Sequence, residues 1–555
     1  MSSRRILEPR NLLPLSQVFR CNGRRLGEPR RGGCLGFCER YEQASQAAGC
    51  GLGRSPAGVV RRLRLAVAWL ACSALLSAAT LSQAVQAGDR ETVRALLKAH
   101  VDVNAAEPDG STALHWAASN GDIETTRLLL QAGANAKAAN RNGITPLWLA
   151  AMNRDADLAR VLLDAGANPN GALPGGETIL MTASRTGKSE LVELLLDRGA
   201  NVAAAGLSFG ETALMLAAAE NQGGVVRVLL KHGAEPDGRS APLTYSKDRF
   251  GLEGVLTILP HGSWTPLMYA AREGSTDAIG VLCDAHADLN LTDPEGSTAL
   301  LLAITNGHYD AAARLVEKGA DLNAADNAGM AALYAAVDMN TLGEIFGRPG
   351  RLSPDRLSAL DLMKILLDRG ANPNQGLKGS ALQRAHTPGE PTLGAGATPL
   401  ARAAHTGDVA SVELLIARGA KVSQPLVNGT TPLMFAAGLG RGVSAFAKDY
   451  GTEADLLRVA QVLIAHGADV NAISAAGQTA MHFAAQAADA NFPQPSDSMV
   501  KFLASQGAKL DVVDKQGRSP IEMAAGKGLR GHAGGPVKPR EDTIALLRQL
   551  MAARP

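Results

Sequence analysis

At 555 residues the chain could hold three or four ordinary globular domains, so its organisation along the sequence has to decide the architecture. Hydrophobic residues reach 46% while aromatics are only 4%, which points to helices built from Leu, Ala and Val and against a base-stacking platform. The net charge of +2 hides an asymmetry: residues 1–64 hold 13 Arg, no Lys and four Glu, a balance of +9 that leaves the remainder at −7 and speaks against a phosphate-backbone binder.

Residues 1–58 have no sustained period and mix Gly, Pro, Cys and Arg irregularly, so no folded domain is expected there. A secretory signal peptide is expected over 59–79. Arg61, Arg62 and Arg64 form its basic start, Leu65–Ala79 its apolar run, and Ser77 and Ala79 stand three residues and one residue before a cut at Thr80. If retained, the 65–81 segment would act as a membrane anchor, although it is short and rich in Ala and Ser for a stable span. Lipidation at Cys72 is disfavoured by Trp69 three residues before it and by the apolar run continuing past it. A signal peptide belongs at the start of a protein, so the start is expected near Val59 or Val60, with the leader a translation artefact. The competing reading is an organellar transit peptide before a second signal. Export implies a periplasmic or extracellular product in a bacterium. Cys21, Cys34, Cys38, Cys50 and Cys72 all precede the folded part, which keeps only Cys283 and therefore no internal disulfide.

From about Thr80 the sequence repeats itself. The tetrad Thr-Ala-Leu-His begins at Thr112, and its variants start at Thr145, Thr178, Thr212, Thr265, Thr298, Ala331, Thr398, Thr431, Thr479 and Ser519. Five of these intervals are 33 residues and one is 34; the others are a unit of that length with an insertion. A second signature, Gly-Ala-polar, recurs in phase at Gly133, Gly166, Gly199, Gly233, Gly319, Gly370, Gly419, Gly467 and Gly507. The unit from Gly110 to Arg141 shows the physics. Thr112 caps a short first helix, and the next position accepts Pro in sister units because its amide needs no partner. Gly121 ends that helix in a left-handed turn and Asp122 caps the second. Ile123, Thr126, Leu129 and Leu130 form the apolar stripe of the second helix, Gly133 ends it, and Ala134–Gly143 make an extended finger. No unit can bury its stripe alone, so the units must stack, with residues such as Leu163 in the shared core.

These two signatures in phase resemble the ankyrin family from Thr80 to the C-terminus. The resemblance implies an all-α solenoid over 80–555: an ankyrin-repeat array of about twelve helix-turn-helix units with β-hairpin fingers. It also implies that His115 and His482, in the fourth tetrad position, make structural hydrogen bonds. Several departures carry expectations of their own. His100 and His286 stand where the loop Gly belongs. Ala331-Ala332 replaces Thr-Pro, which removes a cap and should make that repeat the loosest. Cys283 replaces a Leu and is expected in the core. The outer sides of the first unit (Gln83, Gln86, Arg90, Arg94) and the stretch Arg540-Glu541-Asp542 in the last should be solvated. Insertions fall in fingers at Asp237–His261 and Gln375–Ala397, and between paired helices at Asn340–Ala359, Arg441–Glu453, Ala487–Asp497 and Lys527–Pro539.

No catalytic, cofactor or metal residues are expected. Gly526-Lys527-Gly528 lacks the upstream Gly and the hydroxyl of a phosphate loop, and Gly438-x-Gly440-x-Gly442 lies between helices rather than after a strand. The eleven His do not cluster, and Asp122 and Asp408 are helix caps first. The expected function is a non-catalytic, monomeric scaffold that binds a protein or peptide on its concave side, with no nucleic-acid partner. Candidate contacts at or beside the fourth tetrad position are Trp116, Trp148, Tyr269, Phe435 and Phe483, with packing inside the stack as the alternative for each. A membrane-tethered receptor and an enzyme using an inserted loop, where His261 and His386 are a thin candidate pair, stay open.

Overall fold

The computed structural model describes residues 80–244, 249–252, 255–258, 261–341, 355–379, 393–438, 451–487, 497–529 and 537–553. The leader, the expected signal peptide over 59–79, His386 and much of each insertion lie outside these residues. Among the described residues there are twelve helix pairs, running from Leu81–Gln86 with Arg90–Lys98 to Pro520–Ala524 with Glu541–Ala552. They group into two compact units, one ending at Leu149 and including Asp164–Ala167, the other made of Ala150–Leu163 and everything from Asn168 onward.

The local signals act as their chemistry requires. Thr178 Oγ1 accepts the Met181 N–H at 3.2 Å and starts the helix Ile179–Thr186, which ends at Gly187 with φ 83°. The paired helix Ser189–Asp197 puts Leu191, Val192 and Leu195 on its buried face at 0% exposure. Burial of a Leu in such a core contributes on the order of 2–5 kcal/mol relative to Ala. Pro266, Pro399, Pro432 and Pro520 open first helices, where no amide partner is lost. His100 and His286 take the left-handed turn expected of Gly, at φ 54° and 62°. In the second unit, first helices pack on first helices from Ile179–Thr186 to Pro520–Ala524, and the long finger insertion does not interrupt the contact between Ala213–Ala219 and Pro266–Glu273. Residues 262–327 contain helices, turns and connecting loops, with isolated bridges at Gly262 and Ala325 and no strand.

Neighbouring repeats are also tied through side-chain amides. The Asn two residues after the Gly-Ala-polar signature accepts a backbone N–H from the next repeat. Asn104 takes that of Asn135 at 2.8 Å, Asn170 that of Asn201 at 2.8 Å, and Asn374 that of Lys421 at 2.7 Å. The same Asn amides donate to the carbonyls of Gly133, Gly199 and Gly419 at 3.1, 2.9 and 3.0 Å. Fingers are joined tip to tip by backbone bonds, among them Arg141 N–H to the Asp109 carbonyl at 2.9 Å and Lys515 N–H to the Ala476 carbonyl at 2.9 Å. Most described fingers are tight turns with at most an isolated bridge. The exception is the insertion after Asp237, where Arg249–Leu252 pairs antiparallel with Val255–Ile258.

Three expectations are corrected. The repeat that begins Ala331-Ala332 is closely packed rather than loose, since every residue from Ala328 to Asp338 is buried. Cys283 is half-buried rather than core, since its position on Thr276–Asp284 leaves the thiol at the edge of the stack. Arg540 is not solvated: it is 5% exposed, pairs with Asp497 at 3.0 Å and donates to the Ala484 carbonyl at 2.7 Å. The outer side of the first unit is exposed as expected at Gln83, Gln86, Arg90 and Arg94.

One finger carboxylate makes stability depend on acid. Asp514 takes the Arg518 guanidinium at 2.7 Å and the backbone N–H groups of Gln516 and Arg518, both at 2.9 Å. Burial alone would raise its pKa, but these bonds outweigh burial and bring it down to about 2. Its unfolded value lies near 3.9, so its contribution is complete above that pH and is lost as pH falls through about 2. Wild type should therefore lose about 2 kcal/mol more than Asp514→Asn between pH 5 and pH 2, read from urea unfolding at a series of pH values.

Candidate partner-binding surface

The five aromatic candidates separate by burial. Trp116 and Trp148, both within the first unit, lie on consecutive first helices of the sequence, Ala113–Ser119 and Pro146–Met152, and both are half-buried. Their indole N–H groups are enclosed and have no hydrogen-bond partner. What these rings offer outward is therefore apolar surface, not a hydrogen bond. Enclosing an unpaired N–H costs free energy, so the rings are held there by packing.

Tyr269, Phe435 and Phe483 are corrected as direct contacts. Their exposures are 6%, 0% and 6%, because the position after the tetrad faces the adjacent repeat rather than the inner surface in this part of the chain. Phe435 meets the His405 ring edge-on at 5.3 Å and 78°. Tyr269 meets Trp264 in the same manner at 5.6 Å and hydrogen-bonds Glu211 and Ser240. Burial pushes the Tyr269 hydroxyl far above its ordinary pKa, with the nearby Glu211 charge adding to it. Burial likewise raises the Glu211 carboxyl against the hydrogen bond from Tyr269. Arg272 lies over the Trp264 ring at 5.2 Å, so Tyr269 belongs to a closed internal network.

The two tetrad histidines are structural, as the resemblance implied. The Thr112 N–H donates to His115 Nδ1 at 3.1 Å while Nε2 meets the Ile144 carbonyl at 3.0 Å. His482 repeats this with Thr479 and Arg518, at 3.1 Å on each side. Burial lowers the pKa of both, which favours the neutral ring that this bonding needs. Asp122 and Asp408 cap helices by accepting the Thr125 and Ser411 N–H groups, each at 3.1 Å.

These paired helices match family models along most of their length. The model of ankyrin repeats in three copies matches residues 81–172, 170–240 and 253–326, and the single ankyrin-repeat model matches 395–425 and 428–475, together more than half of the chain. The chain is an ankyrin-repeat protein. No curated protein matches it. Among solved structures, the human ASB11 ankyrin repeat domain is 26% identical, with 43% of this chain and 98% of that one covered and a TM-score of 0.36. Ankyrin helix pairs also occur outside the matched segments, at Ala332–Thr341 with Ala359–Asp368, Ala480–Ala485 with Ser498–Ser505, and Pro520–Ala524 with Glu541–Ala552.

Sequence reasoning missed the apolar finger tips of the second unit. Leu207 is 77% exposed and Val427 81%, and Phe209, Ile473 and Val513 are also exposed. The signal was present in the sequence, because each is a large apolar residue within four positions of a turn Gly. Among the described residues, no group of three or more His, Cys, Asp or Glu is placed to hold a metal ion, and no helix is long and apolar enough to cross a membrane.

Proposed function

We propose that this ankyrin-repeat protein is an exported, monomeric, non-catalytic scaffold that captures a protein or peptide, with the ring faces of Trp116 and Trp148 as anchors. The observation that carries this reading is the contrast among the five candidates: two indoles keep exposed surface on successive first helices, while the other three rings are sealed. Aromatic anchors with part of their area exposed commonly dominate binding energy.

The test uses the chain recovered from the exported fraction, whose N-terminus should read Thr80. An N-terminus upstream of Leu65 in the membrane fraction would favour the tethered form instead. Proteins retained by wild type are identified by mass spectrometry, and their affinity is then measured against Trp116→Ala/Trp148→Ala. The double variant should bind more weakly by about 2 kcal/mol or more, near 30-fold, with thermal unfolding shifted far less than by a core truncation. Equal affinity would place the interface elsewhere, and collapse of the fold would assign both rings to packing.

A further inference from the structure

The inserted finger leaves and rejoins its repeat through a narrow neck. Ser240 N–H donates to the Trp264 carbonyl at 2.9 Å and Trp264 N–H to Ser240 Oγ at 3.0 Å. Farther out, Ser263 N–H reaches the Ala241 carbonyl at 3.3 Å and Leu243 N–H reaches that of His261 at 2.6 Å. The chain re-enters the repeat through two successive left-handed residues, Gly262 at φ 72° and Ser263 at φ 55°. Such a conformation is uncommon for Ser and persists only where surrounding contacts hold it. At Gly262 the backbones are too close for a side chain, since a Cβ there would stand 2.3 Å from the Ala241 carbonyl oxygen.

Contacts from the next finger close over this neck. The Glu295 carboxylate bonds His261 Nδ1 and also accepts the His261 backbone N–H at 3.3 Å. Glu295 is 8% exposed, its second oxygen Oε2 is enclosed without a hydrogen-bond partner, and its own carbonyl is held by the Asn327 N–H at 3.0 Å. Arg239 makes a second tie, donating to the Ser263 carbonyl at 2.7 Å and to the Thr292 carbonyl at 2.9 Å. A carboxylate this buried is costly unless it is paired, so its placement depends on His261. The hairpin that the neck carries, Arg249–Leu252 with Val255–Ile258, has two strands only, and such a hairpin is marginal without an anchor.

We propose that Glu295 and His261 form a latch that fixes the inserted hairpin to the following finger, making the hairpin and its neck an element that can be released without unfolding the repeats beneath. The helices below do not depend on this contact. They are held by Leu214, Leu267 and Leu300, each 1% exposed, and by their own caps. Releasing the latch removes bonds at the neck and leaves that apolar stack in place.

Hydrogen exchange followed by mass spectrometry on the full chain tests this, with wild type compared with Glu295→Gln, His261→Ala and the double variant. In each single variant the neck, Ser240–Leu243 with His261–Ser263, and the two strands should exchange about tenfold faster, while the helices Ala213–Ala219, Pro266–Glu273 and Ala299–Thr305 keep their wild-type rates. The double variant should exchange no faster than the more affected single one, because both remove the same contact. Unchanged exchange at the neck in both single variants would overturn the latch, as would neck amides already unprotected in wild type. Equal acceleration of the three helices would overturn it too, by showing that the contact belongs to the repeat core.

Discussion

Replacing Arg402 with Ala is expected to destabilise the second unit by about 3–5 kcal/mol, because it removes the opposite charge paired with a buried carboxylate. The Arg402 guanidinium meets Asp338 at 2.6 Å, and the two side chains are 4% and 8% exposed. Arg402 comes from Pro399–Thr406 and Asp338 from Ala332–Thr341, first helices that pack directly on each other although two insertions and one helix lie between them in sequence. The double change Arg402→Met with Asp338→Leu should cost far less than the single one, since apolar replacement of a whole buried pair is often neutral or stabilising. Urea unfolding of the three variants checks both statements. A loss under 1 kcal/mol for Arg402→Ala alone would mean that Asp338 is solvated when its partner is gone.

Phe435→Ala should cost about 3–5 kcal/mol, the range for an aromatic ring removed from a sealed core. The ring is 0% exposed, sits on the five-residue helix Pro432–Ala436 and supports the His405 ring of the preceding repeat. A helix of that length has little stability of its own, so its packed side chains must hold it. The change should lower the thermal midpoint and weaken partner capture only as far as folding is lost. Weakened capture with unaltered unfolding would return Phe435 to the contact surface and contradict its burial.

The repeat architecture was legible because its signals are local. A Thr before a short Leu- and Ala-rich helix, and a Gly after a Leu stripe, specify caps and turns whatever surrounds them. Those signals led to twelve units, and twelve helix pairs are present among the described residues. The candidate surface was only partly legible. Trp116 and Phe435 both stand four residues after the first tetrad position, yet one is half-buried and the other sealed. The difference comes from the neighbouring repeat, which no pattern inside a single unit reports. Arg402 also stands at that position, and a charge in an otherwise apolar register was the available clue to the buried pair with Asp338. Arg540 was misjudged for the opposite reason: its charge suggested water, whereas its partner Asp497 lies 43 residues away in sequence.

The inter-repeat amide bonds measure distance through space and ignore distance along the chain. They join residues 31 apart at Asn104–Asn135, Asn170–Asn201 and Asn290–Asp321, yet 51 apart at Asp237–Asp288, 49 at Asn323–Asn372 and 47 at Asn374–Lys421. Their lengths stay within 2.7–3.0 Å throughout. Extra sequence between two such residues therefore passes unnoticed by the repeats on either side, like a detour between two fixed fence posts. Lineages can lengthen these loops, or an engineer can splice a foreign module into them, while a single Asn or Asp side chain still spans the same gap between neighbouring repeats.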